Sequence, residues 1–385
     1  YKKIKFDKKN YNKIINAEII KELTKKNKLS FEGVSIDSKN IKKNNIFIAV
    51  KGKNYDGHIF TKEALKNKAS YCIVQKNIKK LNKNKLIRCH NTINFLNQLA
   101  TMKRNRINAK IIAITGSSGK TTLKTSIGKT LNQYGKTYFS QKSYNNHIGV
   151  PLSLCNLEND HRYGVFEIGM SNAGEIRRLS NIVKPDIAVI TNIGEAHIEN
   201  FNDLNGIAKA KSEIIENINK DGHLILNRDD KYFNYFLKLA KKRKINILSF
   251  GSSSLANARL IKKRLYKNYY NLHFRVLNRN IHLKVKNINS LIISNILSTL
   301  LTLHILDLDS SKIVNSSDHF QLVEGRGKIH QISRYKKKFH LVDESYNANP
   351  SSVKNAIINF SNIKKKYKKK FLLLGDMLEL GKNSD

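Results

Sequence analysis

AITGSSGKTT, residues 113–122, decides the fold. A β-branched apolar run, IIAIT at 111–115, meets a glycine-bearing turn, and a helix is expected from Thr121 to Tyr134. At such a strand-to-helix junction Gly116 and Gly119 let backbone N–H groups turn toward an anion. The helix N-terminus adds partial positive charge. Gly116, Ser117, Ser118, Gly119, Lys120, Thr121 and Thr122 therefore read as a phosphate loop for ATP, with Lys120 on the β/γ-phosphates and Thr121 on Mg2+. The usual pattern has its first glycine where this chain has Ile114, so the loop is a variant.

Working outward, the same grammar of strand, loop and helix repeats. YGVFEIG, DIAVITN and HLILN are further buried runs separated by helical stretches, which argues for an α/β fold around a parallel sheet covered on both faces. This central block is assigned to residues 108–308. Before it, residues 1–107 read as a small α/β unit: a helix over 11–25, then strands at Val34–Ile36, Ile46–Val50 and Tyr71–Val74. After it, residues 309–385 hold FHLVDESYNANPSS, a strand running into a loop, with Pro350 suited to the first turn of the next helix. FLLLGD at 371–376 reads as a buried strand. Two strand–helix units are too few for a closed doubly wound domain, so the third block is expected to be incomplete, as is the Met-less N-terminus.

The formal net charge of +42 invites a nucleic-acid reading. Lysine, asparagine and isoleucine are enriched along the whole chain, as an AT-rich coding bias would produce, so the charge carries little functional information and no nucleic-acid partner is expected. Cys72, Cys89 and Cys155 lack metal-like spacing and read as reduced thiols of a cytoplasmic protein. No run is long and apolar enough to span a bilayer.

GIAKAKSEIIENI, residues 206–218, holds an anomaly. At 3.6 residues per turn Ile207, Ile214 and Ile218 share one face, with Ile215 at its margin. Lys211 falls on that apolar face, while Lys209, Glu213 and Glu216 are expected to point away. A buried ammonium is costly unless it is paired or neutralised, and the commoner outcome is a side chain that snorkels to the helix edge.

The phosphate loop, together with YNNHIGVPLSL (144–154), FEIGMSNAGEI (166–176), TNIGEAHIENF (191–201), AKAKSEI (208–214), DESYNANPSS (343–352) and GDMLELG (375–381), resembles the Mur ligases. The likeness begins at GVSIDSKNIKKNNIFIAVKGKNYDGHIF (33–60), and all three prolines, Pro151, Pro185 and Pro350, lie in or beside these motifs. NNHIGVPLSL and SYNANPSS place it on the branch that adds a dipeptide, and the Asp-Asn-Pro-Arg signature of the diamino-acid branch is absent. The resemblance implies a three-domain architecture: a UDP-substrate-binding domain, a P-loop ATPase domain and a Rossmann-like C-terminal domain. It implies ATP-dependent amide formation in peptidoglycan precursor synthesis, through an acyl phosphate, between UDP-N-acetylmuramoyl-tripeptide and D-alanyl-D-alanine. A monomer is expected.

Residue by residue, the resemblance implies that Glu167 and His197 are metal ligands and that Lys211 is carbamylated, becoming a carboxylate-like ligand or orienter of a second Mg2+. Ser35, Asp37, Ser38, Lys51, Gly52, Asp56, Gly57 and His58 match the UDP-binding positions. Asn145 and Asn146 fall in the loop near nucleotide and tripeptide. Arg326 matches an arginine that reaches the ATP phosphates, and Glu344 stands where an Asp contacts the ribose. Tyr346, Asn347 and Asn349 belong to the branch signature. Asn295 aligns with the adenine site, but the His-Asn pair usual before it is replaced by Leu291 and Ile292. The nearest alternatives are ligases adding a diamino acid or a glutamate to muramoyl peptides or folates, and a degraded ligase that only binds. A nucleic-acid-associated P-loop ATPase is the remote one, since it predicts lysines gathered on one face or tail.

Overall fold

The computed structural model describes residues 8–26, 29–52, 54–140, 142–267, 269–313, 317–334, 337–363 and 369–377. In chain order the elements begin α1 (Lys8–Thr24), β1 (Val34–Ser35), β2 (Ile46–Ile48), α2 (Thr61–Lys66), β3 (Tyr71–Val74), β4 (Leu86–Arg88) and α3 (Thr92–Asn105). Next come β5 (Lys110–Thr115), α4 (Lys120–Leu131), β6 (Thr137–Phe139), α5 (Gly149–Cys155), β7 (Tyr163–Glu167), α6 (Glu175–Val183) and β8 (Ile187–Ile190). They are followed by α7 (Leu204–Ser212), β9 (His223–Asn227), α8 (Phe233–Lys242), β10 (Asn246–Phe250), β11 (Ala258–Tyr266), β12 (Tyr269–Val276) and β13 (Arg279–Val285). The last are α9 (Ser290–Ile305), β14 (Lys328–Arg334), β15 (Lys337–Asp343) and α10 (Pro350–Ser361).

These elements form two compact units. The first runs up to Ile111 and takes in Lys136–Phe166 and Asn181–Lys184. Its four-stranded sheet, β1-β2-β3-β4, is parallel throughout. Phe47, Cys72, Val74 and Leu86 from these strands pack with Ile41, Ala49, Ala64 and Ala69. Asn91 begins α3 by accepting from the backbone N–H groups of Ile93 and Asn94, both at 2.9 Å, which satisfies donors the first helical turn leaves open. Lys103, on α3, is 1% exposed and donates to Asn16 Oδ1 of α1 at 2.7 Å. The Asn156 side chain, just after α5, pairs with both the N–H and the carbonyl of Val34 at 3.0 Å. β6 and β7 run parallel in the same unit.

The second unit comprises Ile112–Gly135, Glu167–Ser180 and the chain from Pro185 onward. Its strands follow the order β13-β12-β11-β10-β9-β8-β5. β5, β8, β9 and β10 are parallel, as the buried β-branched runs predict. β11, β12 and β13 form an antiparallel meander that the sequence reading does not anticipate, because their alternation of polar and apolar residues marks a sheet with one wet face. α9 packs against this meander and against α4. β14 and β15 pair as a separate antiparallel hairpin.

Three local expectations change. FLLLGD at 371–376 forms no strand, and Leu373 is 93% exposed. A strand needs a partner edge for its backbone groups, and no described strand pairs with this one. In GDMLELG, residues 378–381 lie outside the described residues. The 206–218 helix changes pitch: α7 ends at Ser212 and a 3-10 turn spans Glu213–Asn217. Tightening the turn rotates Glu213 inward, so it is buried rather than outward-facing. There its carboxylate accepts from the backbone N–H groups of Gly174 at 2.7 Å and Arg177 at 3.0 Å, at the start of α6.

Candidate active site

The phosphate loop joins β5 to α4 within the second unit. Gly116 has φ 143°, and a Cβ there would stand 1.9 Å from Thr191 Oγ1; Gly119, at φ 80°, begins α4. Both positions require glycine. The loop is clamped by the chain that leaves β8. Ser117 N–H donates to Asn192 O, Ser118 N–H donates to Asn192 Oδ1, and Asn192 Nδ2 donates to Ser118 Oγ, at 2.7–2.9 Å. Ser117 Oγ donates to Gly194 O and accepts from Gly194 N–H, both at 2.8 Å. Asp230 extends the clamp by accepting from Ile193 N–H at 2.7 Å, and its burial pushes its carboxyl up. Sequence reasoning missed Asn192 as a structural partner and Asp230 altogether.

Lys120 Nζ folds back onto the carbonyl of Gly116 at 2.9 Å. Burial lowers its affinity for a proton; Glu167 opposes this, and Arg326 adds to it. Thr121 Oγ1 donates to Glu167 Oε2 at 2.7 Å, joining the first turn of α4 to the end of β7. Thr122 is buried, and its Oγ1 has no hydrogen-bond partner among the described residues.

One turn after Lys120, Lys124 was not singled out in the sequence. It is fully buried, and its Nζ lies 3.7 Å from Glu167 Oε2. Its only sequence signal is the i, i+4 spacing from Lys120, which puts both side chains on one helix face. Burial lowers the Lys124 ammonium, and Glu167 pulls it back up.

Lys211 is 2% exposed. It does not snorkel. Burial pushes its ammonium well below the ordinary lysine range, and the cation of Lys120 pushes the same way. No carboxylate pairs with it among the described residues. His197 follows β8, with φ 58°, at the start of a short 3-10 turn.

From later in the chain, Arg326 comes within electrostatic reach of Lys120 and Lys124, and its guanidinium lies over the Tyr346 ring at 4.0 Å. Glu344 is raised by burial and by Asp343, with Arg326 opposing. Asn347 accepts from Ala348 N–H, and Asn349 caps α10 in a reciprocal box with Ser352, which accounts for its place before Pro350. Asn295 is buried, and its Nδ2 has no partner among the described residues. Leu291 Cδ1 would lie 2.8 Å from a Cβ at Gly119, so this apolar side chain packs on the phosphate loop; Ile292 is buried.

Lys120 and Lys124 thus flank one buried carboxylate, Glu167, with Arg326 within electrostatic reach of both lysines and Lys211 within reach of Lys120. Such a site is preorganised for anions, and crowding phosphates against a carboxylate demands that positive charge. The oxygen donors of Thr121 and Glu167, already 2.7 Å apart, also suit Mg2+, which prefers hard oxygen ligands.

The matched UDP-binding positions lie in the first unit. Ser35 Oγ accepts from Asp37 N–H, and Asp37 accepts from Lys39 and Asn40, which lowers its carboxyl. Ser38 donates to Glu63 at 2.5 Å. Lys51 and Asp56 pair backbone to backbone in an isolated antiparallel bridge, and Gly52 N–H donates to Tyr55 O. Gly57 sits so close to Val50 that a Cβ would meet its carbonyl at 2.6 Å. His58 is buried with Nδ1 2.5 Å from Asp56 Oδ1, and its Nε2 accepts from Gln75 N–H at 2.9 Å, which puts the proton on Nδ1. Lys76 and His58 hold the Asp56 carboxyl far below the usual range. Asn146, in the turn before α5, accepts from Ile148 and Gly149 N–H through its side-chain oxygen, and Asn145 is half-buried beside it.

Comparison with known proteins matches residues 30–104 to the Mur ligase family catalytic domain and residues 114–303 to the Mur ligase middle domain. A UDP-N-acetylmuramoyl-tripeptide–D-alanyl-D-alanine ligase from Rickettsia prowazekii is 35% identical over 359 residues, 93% of this chain and 78% of the relative. One from Buchnera aphidicola is 36% identical over 362 residues, 91% of this chain and 75% of the relative. Among solved structures, MurF from Acinetobacter baumannii has a TM-score of 0.83 at 28% identity, covering 96% of this chain and 80% of that one. The Thermotoga maritima MurF ligase in complex with ADP has a TM-score of 0.74 at 28% identity, covering 92% and 79%. With its phosphate loop, its buried glutamate and lysines and these relatives, the chain belongs to the Mur ligase family.

Proposed function

We propose that this chain joins D-alanyl-D-alanine to UDP-N-acetylmuramoyl-tripeptide at the expense of ATP, in peptidoglycan precursor synthesis. The tripeptide carboxylate attacks the γ-phosphorus of ATP and ADP leaves; the dipeptide amine then attacks the acyl carbon, and phosphate leaves. The observation that carries this reading is a glycine phosphate loop leading into Lys120 and Lys124 beside Glu167, with Arg326 and Lys211 in electrostatic reach of Lys120. The activity named for relatives at 35–36% identity supports the choice of substrates.

In this reading Lys120 and Arg326 hold the phosphates, and the loop N–H groups orient them for in-line attack. Ser117, Ser118 and Thr122 line the same loop. Asn295 faces the adenine and Glu344 the ribose, while Tyr346, Asn347 and Asn349 belong to the substrate end. Thr121, Glu167, His197 and a carbamylated Lys211 would hold Mg2+, which neutralises phosphate charge when bound. Carbamylation needs the neutral amine, in which Nζ adds to carbon dioxide and gives up a proton; burial beside Lys120 favours that form. The UDP-binding residues of the first unit anchor the other substrate, and domain limits at 107/108 and 308/309 belong to the same proposal. So does action as a cytoplasmic monomer; no helix of the described residues is long and apolar enough to cross a membrane.

Incubating the protein with ATP, Mg2+, the UDP-muramoyl tripeptide and D-alanyl-D-alanine should release phosphate in step with dipeptide consumed. Release no greater than without dipeptide would sink the proposal.

A further inference from the structure

The antiparallel meander of β11, β12 and β13 is used by none of the chemistry above. Residues 258–286 contain nine Lys and Arg and no Asp or Glu. Sequence reading treats the basic charge as diffuse, but strand register concentrates part of it here. Three rungs cross the sheet on one side: Arg259, Arg275 and Asn280; Lys262, His273 and His282; Arg264, Asn271 and Lys284. Tyr266 and Tyr269 continue this side toward the β11–β12 turn. On the other side Leu272, Phe274, Val276, Ile281, Leu283 and Val285 are buried, and α9 packs against the meander. The basic side is therefore the wet one.

Five cations, Arg259, Lys262, Arg264, Arg275 and Lys284, share it, and none has a carboxylate within ion-pair distance among the described residues. The acids Asp309 and Asp318 engage Arg279 and Lys286, which are not among the five. Ile261, the extra residue at the register shift between Leu260 and Lys262, is 46% exposed, and Tyr266, near the turn, is 42% exposed.

Charge complementarity calls for a polyanion, and the apolar side chains decide which kind. An exposed isoleucine side chain gains little from a phosphate backbone, whereas a lipid headgroup layer accepts aliphatic and tyrosine side chains flanked by lysines. The ring faces that would stack on bases are also partly taken: Tyr266 stacks on Tyr269 at 5.5 Å and His273 on His282 at 4.4 Å. We propose that the wet face of the β11–β13 meander docks on an anionic phospholipid surface, with Ile261 and Tyr266 entering the headgroup layer. Each basic side chain near such a surface adds to the attraction, and salt weakens it.

The test is co-sedimentation of the full chain with vesicles of phosphatidylcholine alone and of phosphatidylcholine mixed with phosphatidylglycerol, at low and high salt. Binding to the mixed vesicles alone is expected. The triple variant Lys262→Glu, Arg264→Glu, Lys284→Glu should weaken it at least about tenfold. A control triple, Lys79→Glu, Lys80→Glu, Lys83→Glu, changes net charge equally at other exposed lysines and should weaken it much less. Ile261→Ser with Tyr266→Ser should weaken binding while keeping its salt dependence, and all variants should keep the solution ligation rate. Absence of binding, or equal loss in the two triple variants, would overturn the proposal. Tighter binding to a single-stranded oligonucleotide than to the vesicles, lost in the first triple variant, would assign the face to nucleic acid instead.

Discussion

Lys124 Nζ stands 3.7 Å from Glu167 Oε2, with Lys124 0% and Glu167 1% exposed. The same carboxylate oxygen accepts from Thr121, so one oxygen ties two residues of α4 to the end of β7. Breaking a buried ion pair by removing one partner leaves the other charge uncompensated and costs about 3–5 kcal/mol. Lys124→Met should lower stability by that order in urea unfolding without added metal. Adding Glu167→Gln should restore a large part of the loss, because no charge is then left behind. Additive losses in the double variant would show that the two side chains act separately.

Lys211 tests the carbamate. Lys211→Ala should reduce ligation at least about tenfold, with partial recovery on adding short-chain carboxylates. Carbon-13 bicarbonate should also give a carbamate resonance in the wild type that the variant lacks. A fully active Lys211→Ala protein would end the idea.

Gly116→Ala should be far more damaging than Gly119→Ala. At Gly116 a left-handed φ combines with a Cβ 1.9 Å from Thr191 Oγ1, a hydroxyl already donating to Ser118 O at 2.7 Å. At Gly119 the obstacle is the flexible end of Leu291. Strain of this kind costs about 1–3 kcal/mol before any clash is counted. Thermal unfolding and ATP binding by calorimetry would rank the two; equal effects would count against the clamp.

Lys103 supplies a pH dependence. Burial lowers its ammonium from 10.5 to about 8, with Cys155 and Glu158 opposing. Between those values the unfolded chain holds the proton and the native chain does not, so stability rises with pH across the window. Below about pH 8 both states are protonated and the group contributes no slope. Relative to Lys103→Met, the wild type should gain up to about 3 kcal/mol between pH 8 and 10.5. Urea midpoints of both proteins across this window measure the gain; a constant difference would contradict it.

Much of the site was legible because its signals are local. The glycines of the phosphate loop encode their own backbone geometry, and the 3.6-residue period alone placed Lys211 on a buried face. Runs such as HLILN coincide with β9 because a continuous apolar run needs both faces of a parallel sheet covered. Legibility failed where a residue's role depends on its partner. Lys124 is an ordinary helical lysine until β7 brings Glu167 beside it, and Glu213 turns inward only because the helix tightens after Ser212.

By itself, then, the sequence determined the phosphate loop, the parallel strands and the anomaly at Lys211, because these follow from periodicity and backbone geometry within a few residues. Only the tertiary structure decided which charges meet. It set Lys120 and Lys124 beside Glu167, with Arg326 and Lys211 in reach of Lys120, and five cations on the wet face of the meander, since register and packing join residues that the chain keeps far apart and a carboxylate's partner is fixed by distance in space.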